Sequence, residues 1–171
     1  MNNFFKTLDK STKRFLIVLS LVATCCILIN LFVCQIAIVN GNSMYPTLKN
    51  NQMLIVNKIS TKYERNSIIV FKTKSGYLIK RVIGLPGEEV KIQNNDIYIN
   101  GNKIDDVVKI DMNDYGIAKD GVVLGDDEYF VLGDNRNFST DSRFIGCIKE
   151  KDINGIVNVS LFPFEKYNNK K

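Results

Sequence analysis

The stretch GYLIKRVIGLPGEEVKIQNNDIYING, residues 76–101, decides the fold. It holds two runs rich in Ile, Val, Leu and Tyr, separated by Pro86-Gly87. The second run is interrupted at Asn94-Asn95-Asp96 and closes on Asn100-Gly101. β-branched and aromatic residues suit a pleated, half-buried surface, and Asn-rich pairs of this kind suit tight hairpins. The same grammar recurs outward in QMLIVNKI (52–59), NSIIVFKT (66–73), GVVLGDDEYFVLG (121–133) and GIVNVSLFPF (155–164). Each run is bounded by Gly, Asn, Asp or Pro, and no amphipathic helix of three turns is visible among them. The expectation is a mainly β, antiparallel domain over residues 37–171. Its acidic, turn-rich middle, about 92–130, reads as a small inserted β lobe.

Before that domain the pattern is different. FLIVLSLVATCCILINLFVC, residues 15–34, contains no charge, and Ile36 to Val39 nearly extends it. Twenty residues at helical rise span about 30 Å, the thickness of a bilayer's hydrocarbon core. A cleaved secretory signal has a shorter apolar core, about 7–15 residues, and a small-residue cleavage site that is not evident here. The run therefore reads as a transmembrane anchor over 15–36. Lys6, Lys10, Lys13 and Arg14 against Asp9 leave +3 on residues 1–14, out of a net +5 for the chain. By the positive-inside tendency, residues 1–14 are expected in the cytoplasm and residues 37–171 outside the plasma membrane, after a single pass.

The remaining composition excludes several classes. With most of the positive excess beside the anchor and no basic stripe interleaved with aromatics, nucleic-acid binding is not expected. Cys25, Cys26 and Cys34 fall in the apolar run, so Cys147 has no partner for a disulfide in the β domain. There is no histidine and no CxxC pair, hence no soft-metal site is expected.

The absence of histidine sharpens the question raised by NGNSMYPTL, residues 40–48. Ser43 sits beside a proline turn just after the anchor, and a serine nucleophile needs a base. With no imidazole in the chain and the N-terminal amine across the membrane, a lysine or a carboxylate remains. Lys80 interrupts an apolar run between Leu78, Ile79, Val82 and Ile83. A free lysine is almost wholly protonated at neutral pH, but burial lowers its pKa by up to about 3–5 units. A buried lysine beside a serine is a known variant of nucleophilic catalysis. A third stretch, LGDNRNFSTDSRFIG (132–146), gathers Asp134, Asn135, Arg136, Ser139, Asp141, Ser142 and Arg143 between apolar runs. It reads either as a solvated loop of local turns or as a hydrogen-bonded platform under a site.

Together GNSMYPTL, IKRVIGLPGEEV and LGDNRNFSTDSR, in this order after one anchor, resemble the type I signal peptidases in their single-span form. The resemblance runs from the anchor to about residue 148. It implies a membrane-bound serine endopeptidase that removes signal peptides from secreted preproteins, working without metal or cofactor and as a monomer. Carried over motif by motif, Ser43 is the nucleophile, Lys80 the general base, and the Ser43 backbone N–H an oxyanion donor. Ser139 is implied to hold the lysine amine by a hydrogen bond. Asp141 with Arg143, and Asp134 with Arg81, are implied to be supporting ion pairs. Val39, Met44, Leu48, Leu78 and Ile79 match positions lining shallow apolar pockets that favour small residues at positions −1 and −3 of the substrate.

The chain departs from the family pattern in a short inserted lobe, in lacking the second membrane span of some members, and at two positions in or near its motifs. Gly41 stands where some members have a serine that helps bind the oxyanion, and Asn66-Ser67 stands where Gly-Asp is common. Two other classes fit some of the residues. One is a Ser/Lys protease of different substrate, such as a self-cleaving regulator or a pilus-processing peptidase. The other is an anchored β module without catalysis. Asn137-Phe138-Ser139 and Asn158-Val159-Ser160 also read as glycosylation sequons, which chance explains.

Overall fold

The computed structural model describes residues 9–60, 62–109, 111–162 and 164–167. Lys6 and the rest of residues 1–8 of the expected cytoplasmic segment, with the last four residues of the chain, lie outside them.

Helix α1 runs Lys10–Phe32, with Asp9 as its N-cap accepting from Thr12 N–H at 2.6 Å. A short polar side chain at this position satisfies one of the unpaired N–H groups of the first turn. No residue of α1 is buried against the rest of the protein, and the helix is long and apolar enough to cross a membrane. Lys58 Nζ approaches its last carbonyls, 3.3 Å from Leu31 O, a charge suited to the negative end of a helix.

The helix ends before the apolar run does. Cys34–Ile38 is strand β1, so residues 34–36, assigned to the anchor from sequence, are extended. They pair antiparallel with β2 (Met53–Asn57), from Cys34↔Asn57 to Ile38↔Met53. Neighbouring backbone groups thus replace the helical ladder at a point where composition does not change.

The chain continues through β3 (Ile68–Thr73) and β4 (Gly76–Gly84) into a separate four-stranded sheet. That sheet contains β5 (Glu89–Gln93), β6 (Asp96–Ile99), β7 (Asn102–Ile104) and β8 (Val122–Val123), in the order β7-β6-β5-β8. Its two hairpins turn on Asn94-Asn95 (φ 50° and 66°) and Asn100-Gly101 (φ 50° and 78°). Two successive left-handed residues twist the turn as the strands twist, and Asn and Gly tolerate that conformation at least cost. The inserted sheet therefore occupies Glu89–Val123, shifted from the expected 92–130. Strand β9 (Glu128–Leu132) returns to the large sheet against β4.

After β9 come the single turn α2 (Ser142–Ile145), β10 (Ile148–Lys149), the long β11 (Ile153–Phe162) and β12 (Phe164–Lys166). The large sheet has the order β1-β2-β11-β3-β4-β9-β10, with β12 on β11, and its pairings are antiparallel. The fold is mainly antiparallel β, preceded by one apolar helix.

Three apolar clusters hold it together. One joins the small sheet to β9 through Ile83, Ile92, Ile97 and Phe130. A second lies between β3, β4, β9 and β11 around Phe71, Val82 and Val131. The third gathers Met44, Leu48, Leu54, Val56 and Val157 under the loop that carries Ser43. Fully burying one such side chain is worth about 1.5–3 kcal/mol, so this third cluster is a firm seat for the loop.

Candidate active site

The Ser43 loop spans residues 39–52 and is tied at its neck. Val39 N–H donates to Gln52 O and Asn51 N–H to Val39 O, both at 2.9 Å. Gln52 is buried, and its side chain accepts from Lys49 N–H at 2.9 Å. The same side chain donates to Ser160 Oγ at 2.8 Å and Tyr167 Oη at 2.9 Å. The loop is thus fastened to the C-terminal hairpin as well as to its own ends. Met44 and Leu48 are fully buried beneath it, which fixes the backbone on both sides of Ser43.

Lys80 comes from the middle of β4, opposite Ile69 of β3, and is 1% exposed. Its Nζ donates to Ser43 Oγ at 2.8 Å and to Ile79 O at 3.0 Å. Burial drives its pKa from the ordinary 10.5 down to about 8, against the opposing pull of Asp141 and Asp134. A neutral amine at that position accepts a proton from the serine hydroxyl, the reverse of the hydrogen bond seen with the ammonium.

Two ion pairs flank the amine. Arg81, next to Lys80, grips Asp134 with Nε at 2.8 Å and Nη2 at 2.5 Å. Arg143 grips Asp141 with Nε at 2.8 Å and Nη2 at 2.9 Å. All four side chains are buried. Two-pronged contacts of this kind fix the carboxylate's orientation as well as its charge. Asn135 completes the platform, with its N–H on Ser43 O at 3.0 Å and its side-chain amide on Asn42 O at 3.1 Å.

Ser139 and Leu48 are placed differently from their expected roles. Ser139 Oγ is buried and makes no hydrogen bond among the described residues, so it does not hold the lysine amine. Both hydrogen bonds of that amine go to Ser43 and Ile79 instead. Ser139 lies against Gly133, where an added Cβ would stand 2.1 Å from its Oγ. Leu48 is not among the residues lining the cleft beside Ser43, and is fully buried in the apolar cluster below the loop. Val39, Met44, Leu78 and Ile79 do line a cleft of about 110 Å³ that opens beside Ser43 and Lys80, and Val70 and Tyr77 complete its wall.

Both positions that depart from the family pattern have a local account. The Gly41 N–H is taken by Asn50 Oδ1 at 2.8 Å, whereas the Ser43 N–H has no partner among the described residues. Asn66 adopts the left-handed conformation (φ 68°) that Asn tolerates better than most residues. Its carbonyl accepts from Arg81 Nη1 at 2.8 Å. The Asn137 side chain is engaged on both sides, by Asp111 O and Asn113 N–H at 2.9 Å each.

The sequence reading missed Asp106 and Asp114. Asp106 pairs with Arg136, and the Asp114 carbonyl accepts from Arg143 Nη1 at 2.9 Å. They stand about 30 positions before their arginines, in a stretch whose acidic residues look alike. Among the described residues, no cluster of three or more Cys, Asp or Glu side chains is placed to hold a metal ion.

In chemical terms the site pairs a serine hydroxyl with a buried amine, in a chain that has no imidazole. A family model described as "Signal peptidase, peptidase S26" matches residues 11–162. The chain is 36% identical over 154 residues to signal peptidase I S of Bacillus subtilis (strain 168), across 82% of this chain and 83% of that protein. It is 38% identical over 165 residues to signal peptidase I of Bacillus caldolyticus, across 85% and 90%. A crystal structure of a signal peptidase I from Enterococcus faecalis V583 aligns with a TM-score of 0.48 and 32% identity, over 56% of this chain and 96% of that one. The chain belongs to the type I signal peptidase family and is a serine endopeptidase.

Proposed function

We propose that this chain cuts the signal peptides from exported preproteins after a small residue at position −1, with Ser43 as nucleophile and Lys80 as general base. The observation that carries the reading is the 2.8 Å contact between Lys80 Nζ and Ser43 Oγ, made by an amine whose pKa burial has brought to about 8. Neutral Lys80 takes the Ser43 proton as Oγ attacks the carbonyl carbon of residue −1. The Ser43 N–H, which has no partner among the described residues, stabilises the developing oxyanion. The C–N bond then breaks, the Lys80 ammonium returns its proton to the leaving amine, and an ester to Ser43 remains. A water deprotonated by the same amine hydrolyses that ester and frees the signal peptide.

The cleft of about 110 Å³ supports a preference for small residues, since Val39, Met44, Leu78 and Ile79 are among the side chains that line it. Helix α1 spans the plasma membrane with residues 1–14 in the cytoplasm, and the β domain works as a monomer on the outer side. Confining enzyme and substrate to one plane raises their effective concentration.

The test is cleavage of a purified preprotein bearing an Ala-x-Ala site, in detergent, with the cut mapped by mass. Wild type is expected to cut after the −1 Ala, and Ser43→Ala and Lys80→Ala to lose the activity. Undiminished cutting by either variant breaks the dyad assignment. Failure of the wild type on several such substrates removes the substrate class.

A further inference from the structure

One of the contacts between the inserted segment and the platform under Ser43 is made by a carboxylate. Asp106, which follows β7, accepts from Arg136 Nη2 at 2.7 Å and from Val108 N–H at 3.1 Å through Oδ1. Its other oxygen accepts from Arg136 Nη1. The Arg136 side chain is wholly buried and that of Asp106 is 13% exposed. With both prongs of its fork on Asp106, Arg136 directs Nε at the Gly133 carbonyl, 3.0 Å away. The Gly133 N–H is held by Asp141 Oδ2 at 2.9 Å. Residue 133 is therefore gripped on both its polar groups, by two arginine–aspartate pairs of which only Asp106 lies outside residues 136–143.

Gly133 in turn lies directly on the nucleophile's backbone. A Cβ added there would come within 2.6 Å of Ser43 O. Two residues later, Asn135 donates to that same carbonyl. Ser43 thus rests on residues 133–135, and Arg136 holds the first of these only while Asp106 holds Arg136. A buried guanidinium that loses its carboxylate must find another acceptor or draw in water, and either event turns Nε away from Gly133.

We propose that Asp106 is a positioning residue for the Ser43 nucleophile, acting through Arg136 and Gly133. The proposal rests on Ser43 being that nucleophile. Asp106 works by geometry rather than by charge on the base, because the charges that move Lys80 are those of Asp141 and Asp134. A misplacement of about 1 Å in a reacting group costs on the order of 10² in rate.

The experiment uses the full chain in detergent and the Ala-x-Ala preprotein, with kcat expressed per folded molecule from the thermal unfolding of each variant. Asp106→Asn keeps the shape but loses the charge, and Arg136→Lys keeps the charge but loses the fork. Both are expected to lower kcat by about 10- to 100-fold, with KM within about twofold and the midpoint of the acid limb unmoved. The double variant is expected to be no slower than either single one, since the two side chains act as one unit. Should Asp106→Asn not fold, Asp106→Glu keeps the charge, displaces the fork by one methylene and is read by the same kcat. Unchanged kcat per folded molecule, a shifted midpoint, or losses that multiply in the double variant would each overturn the proposal. Ser43→Ala, run alongside, separates the two failures. If it still cuts, the nucleophile is wrong; if it is dead while the Asp106 variants are fully active, only the positioning role is.

Discussion

Lys80 Nζ lies 2.8 Å from Ser43 Oγ, and among the described residues no carboxylate oxygen is within 4.0 Å of it. The two carboxylates whose charge it feels, Asp134 and Asp141, are each gripped by an arginine. This division of partners keeps the amine usable. A carboxylate bonded to Lys80 itself would stabilise the ammonium and undo the effect of burial. Bidentate arginines hold the same negative charge close without letting it form that bond.

The pH dependence follows directly. With a pKa of about 8, roughly a tenth of Lys80 is neutral at pH 7. The rate kcat/KM should therefore rise about tenfold per pH unit on the acid side and level off above about pH 8. A profile of preprotein cleavage from about pH 5.5 to about pH 10 checks this. An acid limb centred near a carboxylate's usual value, about 4, would show that Lys80 is not the base.

Stability should move the other way when the amine is removed. The folded-state pKa is about 8 and the ordinary value is 10.5. Between those values the unfolded chain binds a proton that the folded chain does not, so stability rises with pH across that window. Below it the buried ammonium costs the fold about 3 kcal/mol. Lys80→Met is expected to abolish cleavage and to raise the unfolding midpoint at pH 7, with the gain shrinking toward pH 10.5. Thermal unfolding of both proteins at neutral and alkaline pH measures this, and a Lys80→Met protein less stable at both would contradict it.

Much of this was legible in the sequence because its signals are local. The uncharged run declared α1, and Asn94-Asn95 and Asn100-Gly101 declared two hairpins whose residues are indeed left-handed. The end of the helix was not legible, because Cys34–Ile38 carries no charge and only Gln35 interrupts its apolar residues, and it becomes a strand through pairing with β2. Glu128–Leu132 was assigned in part to the inserted lobe for a similar reason, since strand composition does not say which sheet a strand joins. Of the candidate site, Ser43 and Lys80 were legible as a candidate nucleophile and base in a chain without histidine, and the structure brings their side chains together. Asp106 gave no signal, because the buried arginine that singles it out among its acidic neighbours is distant in sequence. Leu48 illustrates the opposite limit, where a motif position was matched but the side chain points into the core.

Gly133 is a position where glycine is required by space. A Cβ there would sit 2.1 Å from Ser139 Oγ, 2.4 Å from Ser139 Cβ and 2.6 Å from Ser43 O. The hydroxyl can rotate, but the Ser43 backbone cannot move without shifting the nucleophile. Gly133→Ala is expected to cost about 1–3 kcal/mol of stability and to lower kcat by about tenfold or more. Steady-state kinetics and thermal unfolding on the same preparation check both. Wild-type kcat in a fully folded Gly133→Ala protein would show that the contact with Ser43 does not set the reaction geometry.

Asp134 separates charge from geometry. Its carboxylate is fully buried on Arg81, and Asp134→Asn leaves the guanidinium without a counter-charge, at a cost of about 3–5 kcal/mol. Its charge also raises the pKa of Lys80, while Arg81 is the neighbouring residue on β4. Removing the carboxylate therefore pushes that pKa further down, below about 8. The acid limb of kcat/KM should move to lower pH even as the unfolding temperature falls, a combination that damage to the fold alone does not produce. A midpoint left at its wild-type value would mean that Asp134 serves only to hold Arg81, and that the electrostatic setting of the base comes from Asp141 and burial.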